Sequence, residues 1–247
     1  MAALNKNDFV AVSYTGRTEE GVFDTTDEQV AKDNDIYSPR GTYGAMTICL
    51  GQGQIIPGLD KELIGKEIGK EYSFTISPEE AFGKKDPKAI QLIATSKFKK
   101  ADIRPVPGMQ VNVDDQMGII KTVSGGRTLV DFNHPLSGKT VTYTITVEKQ
   151  ITDLNVQVGV LMGALFQLPP LKATVTDGKA TVEVPFPVVK EVQDLLTKKV
   201  TEVISAVKEV ELVNPKKDAQ QVDAAPKNVT PDAKEQPAES TDSVKKE

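Results

Sequence analysis

The sequence predicts an α+β fold of antiparallel strands and short helices, on three observations. "FVAVSYTGR" (9–17) and "VTYTITVEKQ" (141–150) alternate with the two-residue period of a strand. Between them, Pro57 opens a short helical stretch, since proline suits a first helical turn. Farther on, a hairpin signal at Asp177-Gly178 is followed by helical spacing of apolar residues over 188–208, a further α+β region. At 247 residues, with 38% apolar and 26% charged side chains, the chain has room for more than one core.

In chain order, Val10, Val12 and Tyr14 share one face of the first strand, and "EEG" turns into "VFD" as an opening hairpin. Residues 25–44 are polar, with Pro39, Gly41 and Gly44, and predict a long, partly structured excursion before the strand "AMTICL" (45–50). In "GQGQIIPGLDKELIGKEIGKE" (51–71), Leu59 and Leu63 lie four apart on one helix face and Gly65 suits the left-handed end. "KEYSFTIS" (70–77) alternates at Tyr72, Phe74 and Ile76, after which Ser77, Pro78 and Glu80 carry the S-x-x-E signal of a capped helical turn. From Lys84 to Leu129 a Lys-rich stretch and the short strands "MQVNV" and "MGIIKTV" interrupt this pattern, so the strand at 141–150 is expected to pair with the N-terminal sheet.

Beyond Thr152 the stretch 158–168 is apolar without a period that separates helix from strand. Val189, Val192, Leu196, Val200, Val203 and Val207 then share a helical face. So many β-branched residues lower helix propensity, so packing on the hairpin or on a second copy of the chain must hold it, and a homodimer through this region is one expectation. From Asn214 to Glu247 the composition predicts disorder.

Charge and cysteine usage narrow the function. With 30 Lys and Arg against 35 Asp and Glu, the net charge of −5 gives no general attraction to nucleic acid or anionic lipid. No apolar run approaches the roughly 20 residues of a membrane span, and a cytoplasmic protein is expected. Cys49 and His134 are each single, which leaves no internal disulfide and no Cys/His cluster for zinc, so neither metal nor cofactor is expected; Cys49 reads as a buried, inert thiol. The glycine loop at 51–58 matches neither G-x-G-x-x-G nor G-x-x-x-x-G-K-[ST], and Ile55 and Ile56 occupy its centre. It therefore reads as a cradle for something apolar. On position alone Phe23, Leu59 and Tyr143 are core residues as readily as pocket walls.

"VSYTGR", "GVFDTT", "LGQGQIIPGLDKELIGKEIGKEYSFTISPEEAFG" and "VTYTITVEKQI" occur in order. Together they resemble the FKBP-type peptidyl-prolyl cis-trans isomerases, over about residues 8–83 and 131–151. The stretch between Phe82-Gly83 and the last strand, returning through "DFNHPLSGK", is similar to the insert-in-flap chaperone domain of the SlyD-like and long archaeal-type members. The resemblance implies a bent antiparallel FKBP-like sheet around the short helix, residues 1–85 and 130–152, with a small β-rich flap domain at 86–129. A C-terminal α+β domain at 153–213 and a tail at 214–247 complete the expected order.

It also implies a catalytic set of Tyr14, Asp24, Ile56, Phe82 and Tyr143 and a substrate-binding set of Phe23, Met46, Ile55, Leu59 and His134. Ile56 would offer its backbone N–H, Asp24 would orient Tyr14, Leu59 would take the proline ring, and His134 would sit at the rim. The expected activity is prolyl isomerisation with chaperone action on unfolded, proline-containing polypeptides. The competing reading is a non-enzymatic holdase that keeps the fold. Two departures bear on this: Leu59 stands where much of the family has tryptophan, a residue absent from this chain, and Phe82 lacks a tyrosine hydroxyl.

Overall fold

The computed structural model of the protein describes residues 3–214; apart from Asn214, the expected tail at 214–247 lies outside the described residues. The chain opens with β1 (Phe9–Thr18), β2 (Gly21–Thr25), α1 (Glu28–Asp33), β3 (Met46–Cys49), α2 (Pro57–Leu63) and β4 (Glu71–Ile76). It continues through β5 (Ile90–Ala94), α3 (Thr95–Lys100), β6 (Gln110–Val113), β7 (Gln116–Ser124) and β8 (Arg127–Asp131). Then follow β9 (Val141–Gln150), α4 (Leu154–Leu165), β10 (Ala173–Thr176), β11 (Lys179–Glu183), α5 (Lys190–Val203) and β12 (Glu209–Val213). The fold is α+β.

The main sheet has the order β2-β1-β9-β4, with β3 also paired to β1. As its alternation requires, β9 returns from the insert to pair antiparallel with β1 and β4, and Val141, Tyr143, Ile145 and Val147 are all buried on one face. There they pack with Leu59 and Leu63 of α2. Register slips in β1 at Ala11/Val12 and Gly16/Arg17 sharpen its twist, so the sheet curls over α2. The turn after β4 departs from the capping-box expectation. It is a 3₁₀ turn at Pro78–Glu80 in which Ser77 makes no side-chain cap, and the Glu80 carboxylate reaches Lys61 on α2, at 2.8 Å.

A second antiparallel sheet, β5-β8-β7-β6, closes over its own small core of Phe98, Val111, Ile120 and Val130. This sheet runs to Asp131, two residues beyond a boundary at 129. The chain enters and leaves it at neighbouring points: the Asp86 N–H donates to Asn133 Oδ1 at 2.8 Å, and Asn133 Nδ2 donates to the Asp86 carbonyl at 3.0 Å. Gly118 allows Phe132 to lie across the sheet, since a Cβ there would fall 2.8 Å from that ring.

The third sheet, β10-β11-β12, combines an antiparallel hairpin with a parallel pair bridged by α5. Asp177 and Gly178 both have positive φ, 51° and 80°, the tight turn their sequence favours. The apolar stretch left open between helix and strand is α4, buried continuously from Val158 to Gly163 between this sheet and the back of β1 and β3. Six successive buried residues leave no apolar stripe in the middle of the helix, which is why the period does not separate helix from strand. The same contact explains four consecutive buried residues, Phe9–Val12: Val10 and Val12 face α2 while Phe9 joins the α4 cluster. In α5, Leu196, Val200 and Val203 pack within the chain, whereas Val192 and Leu195, with Val189 at the N-cap, are exposed, so only part of the expected face is buried.

Candidate active site

Above α2 the curled sheet leaves a cavity of about 470 Å³. Tyr14 and Tyr143 enter it from adjacent strands and Asp24 from β2, while Ile55, Ile56 and Leu59 come from the glycine loop and α2. Met46 from β3 and Phe82 from the turn after β4 complete the expected part of its lining. Phe23 and His134 stand behind this wall. The Phe23 ring meets Tyr143 edge-on at 5.7 Å and Phe82 at 5.9 Å, and Phe82 stacks flat on His134 at 5.0 Å. His134 is exposed, with its Nδ1 accepting from the Leu136 N–H at 3.2 Å, and so marks the rim.

Gly16 makes the aromatic wall sterically feasible. A Cβ at that position would lie 2.8 Å from the Phe23 ring and 3.0 Å from that of Tyr143, so only glycine lets both rings close over β1. Tyr14 and Tyr143 meet at 5.7 Å in a tilted pair. On the far side, the Ser137 hydroxyl donates to the Phe82 carbonyl at 3.0 Å and fixes the turn that carries this ring.

The polar groups of the cavity are few and directed. The Tyr14 hydroxyl donates to Asp24 Oδ2 at 3.0 Å. The Tyr143 hydroxyl faces the cavity without a hydrogen-bond partner among the described residues. Burial, with the Asp24 charge adding to it, holds both phenols above the ordinary tyrosine range. Because both folded values are raised, stability is unaffected below the ordinary value of about 10 and falls as pH climbs from there through the folded values. An absorbance titration of the five tyrosines should therefore show two that ionise only with alkaline unfolding. Five phenols ionising together near the ordinary value would contradict this burial.

Two contributors were missed in the sequence. Asp60 is buried on α2, and its carboxylate accepts from the N–H groups of Gly51 at 2.8 Å and Gly53 at 3.3 Å, tying the glycine loop to the helix below it. Its signal was an acidic residue in the first turn of a helix that follows a glycine loop. Gln54 is the other: its Oε1 accepts from the Cys49 N–H at 2.8 Å, and its buried Nε2 has no partner among the described residues. Cys49 itself is buried, and burial pushes its thiol up to about 12, which leaves it protonated and unreactive.

A slot with aromatic and aliphatic walls, one carboxylate and an unengaged hydroxyl suits a flat apolar group flanked by carbonyls. Comparison with known proteins agrees with this chemistry. A model for the FKBP-type peptidyl-prolyl cis-trans isomerase family matches residues 2–99, and one described as the IF domain of FKBP26 matches residues 91–136. The chain is 37% identical over 144 residues to a short-type peptidyl-prolyl cis-trans isomerase of Methanocaldococcus jannaschii, covering 58% of this chain and 92% of that protein. It is 30% identical over 149 residues to a probable FKBP-type 16 kDa peptidyl-prolyl cis-trans isomerase of Pseudomonas fluorescens, covering 58% and 89%. To the FKBP-type isomerase SlyD of Haemophilus influenzae it is 29% identical over 148 residues, covering 58% and 70%.

Proposed function

This chain belongs to the FKBP-type peptidyl-prolyl cis-trans isomerases, SlyD-like in kind, and on that premise we propose that it isomerises X–Pro bonds in unfolded proteins that its insert captures. The barrier to be lowered is about 18–20 kcal/mol, because the planar amide must lose its resonance. No bond breaks, so the slot needs neither nucleophile nor metal. It has to favour the twisted amide, whose carbonyl is less polar, over the planar ground state that water solvates best. The observation that carries this reading is the junction of the aromatic wall with the Ile55–Leu59 floor in one mostly apolar cavity.

In this account Leu59 seats the proline ring and Phe82, Phe23 and Met46 exclude water. The Ile56 N–H, which no described residue accepts, holds a substrate carbonyl, with Ile55 packed beside it. Asp24 keeps Tyr14 in place, and His134 supports Phe82 from the rim. With no hydroxyl on Phe82, the unpaired Tyr143 hydroxyl is the donor left to hold a backbone carbonyl of the substrate beside the isomerising amide. Tyr143→Phe should therefore lower kcat/KM on a prolyl tetrapeptide by about 2- to 10-fold, the worth of one neutral hydrogen bond, with thermal stability unchanged. Full activity in that variant would remove the role.

The insert supports the capture of clients. Its core holds Phe98, Val111 and Ile120, yet Leu92, Met117 and Val106 stay exposed, at 63%, 60% and 46%. Leu92 pairs across the sheet with Leu129, so the exposed residues include one face of the sheet rather than loop tips alone. Held beside the slot, such a surface raises the local concentration of prolines in a bound chain. Pairing of two copies would fall to the exposed Val189, Val192 and Leu195 of the C-terminal region, and a monomeric mass at micromolar concentration would exclude it.

A further inference from the structure

A second cavity, about 530 Å³, adjoins the slot and shares Met46 and Gln54 with it. Its near wall is β3 and the glycine loop. Its far wall belongs to the C-terminal region: Leu161, Ala164 and Leu165 of α4, closed by the segment Leu168–Pro170.

This far wall is held rigidly. A Cβ on Gly159 would lie 2.2 Å from the Leu171 carbonyl oxygen, and one on Gly163 would lie 2.5 Å from that of Pro169, so the two glycines let the 168–171 segment lie flat against the helix. The Leu171 N–H donates to the Gly159 carbonyl at 2.9 Å and the Leu168 N–H to that of Gly163 at 2.8 Å. Two successive prolines stiffen what lies between. Lys199 is the single charged residue in the lining.

Gln54 stands at the seam between the two cavities. Its Oε1 is engaged by the Cys49 N–H, so the amide is fixed in one orientation, and its Nε2 is buried without an acceptor among the described residues. An extended polypeptide fits such a pair of cavities, because it presents a side chain to each face in turn, with a rise of about 3.3 Å per residue.

We propose that the two cavities form one substrate groove: with a proline in the slot, a neighbouring apolar side chain of the same chain enters the cavity walled by α4. The C-terminal region then selects the sequence around the proline. This rests on the isomerase reading of the slot and extends it to a preference for clients with an apolar residue at a fixed distance from proline. The occupant is argued from continuity with the slot and from the apolar lining.

The test uses the full chain and labelled decapeptides that hold one proline and one leucine, the leucine moved through each position up to four residues on either side. At one position, leucine should bind about tenfold tighter than glycine by fluorescence anisotropy, the expected worth of burying most of that side chain. Ala164→Glu and Leu165→Glu, both at exposed positions and so compatible with folding, should reduce that advantage to less than about twofold. Equal affinity at every leucine position, or an advantage that survives Ala164→Glu, would overturn the proposal. So would a variant that changes the chain's mass in solution and leaves peptide affinity alone, since the groove would then seat a second copy. Turnover of a tetrapeptide reports on the slot alone, so its loss would count against the isomerase reading while the leucine scan still judges the groove.

Discussion

Leu59→Ala should lower kcat/KM on a prolyl tetrapeptide by about 30-fold, the rate equivalent of the roughly 2 kcal/mol of apolar contact that the missing methylenes gave the proline ring. Leu59 is 2% exposed and packs with Leu63, Ile76 and Tyr143, so the same change should also destabilise the fold by about 2–5 kcal/mol. The two effects separate by a volume-conserving partner. Leu59→Met should keep stability within about 1.5 kcal/mol of the parent and turnover within a few-fold, since it restores the floor without the branch. If Leu59→Ala remains folded, as measured by chemical denaturation, and turns the tetrapeptide over at the parental rate, the proline does not rest on this residue.

Removal of the insert should divide the two activities. The Asp86–Asn133 clasp brings the crossing points together, so residues 87–132 can be replaced by a two-glycine link without pulling on Phe82 or the rim. Tetrapeptide turnover should persist within about twofold, because no residue of the insert lines the slot, while catalysis of a proline-limited refolding reaction should fall by about 10- to 100-fold with the loss of local concentration. Equal losses in both assays would mean that the insert acts on the slot rather than on the client.

Much of this site was legible before the structure because it rests on strand period and a spaced block of glycines. Tyr14 and Tyr143 fall on the apolar faces of strands that the structure pairs directly, and Ile55, Ile56 and Leu59 follow from the loop-and-helix signal. Other features depend on contacts that a linear reading cannot see. Ser77 and Glu80 carry a capping signal, yet Glu80 pairs with Lys61, distant in sequence, and the turn stays 3₁₀ without a Ser77 cap. The state of α4 was hidden because six successive residues in the middle of the helix are buried, and the value of Gln54 lies in the orientation of one amide. In the insert, the sequence does not separate core from surface among its apolar residues; Phe98 is buried in the small core, whereas Leu92 and Met117 are exposed.

The central claim is that the slot itself catalyses rotation about the X–Pro bond. Uncatalysed, that rotation takes tens to hundreds of seconds at 25 °C, slow enough to follow directly. The most direct measurement is a protease-free cis/trans assay on a prolyl tetrapeptide with micromolar full-length protein. Relaxation faster than buffer, in proportion to protein concentration and suppressed in Leu59→Ala, is the predicted result. A rate equal to that of buffer at every concentration would contradict it and leave a binding module that keeps the fold without the catalysis.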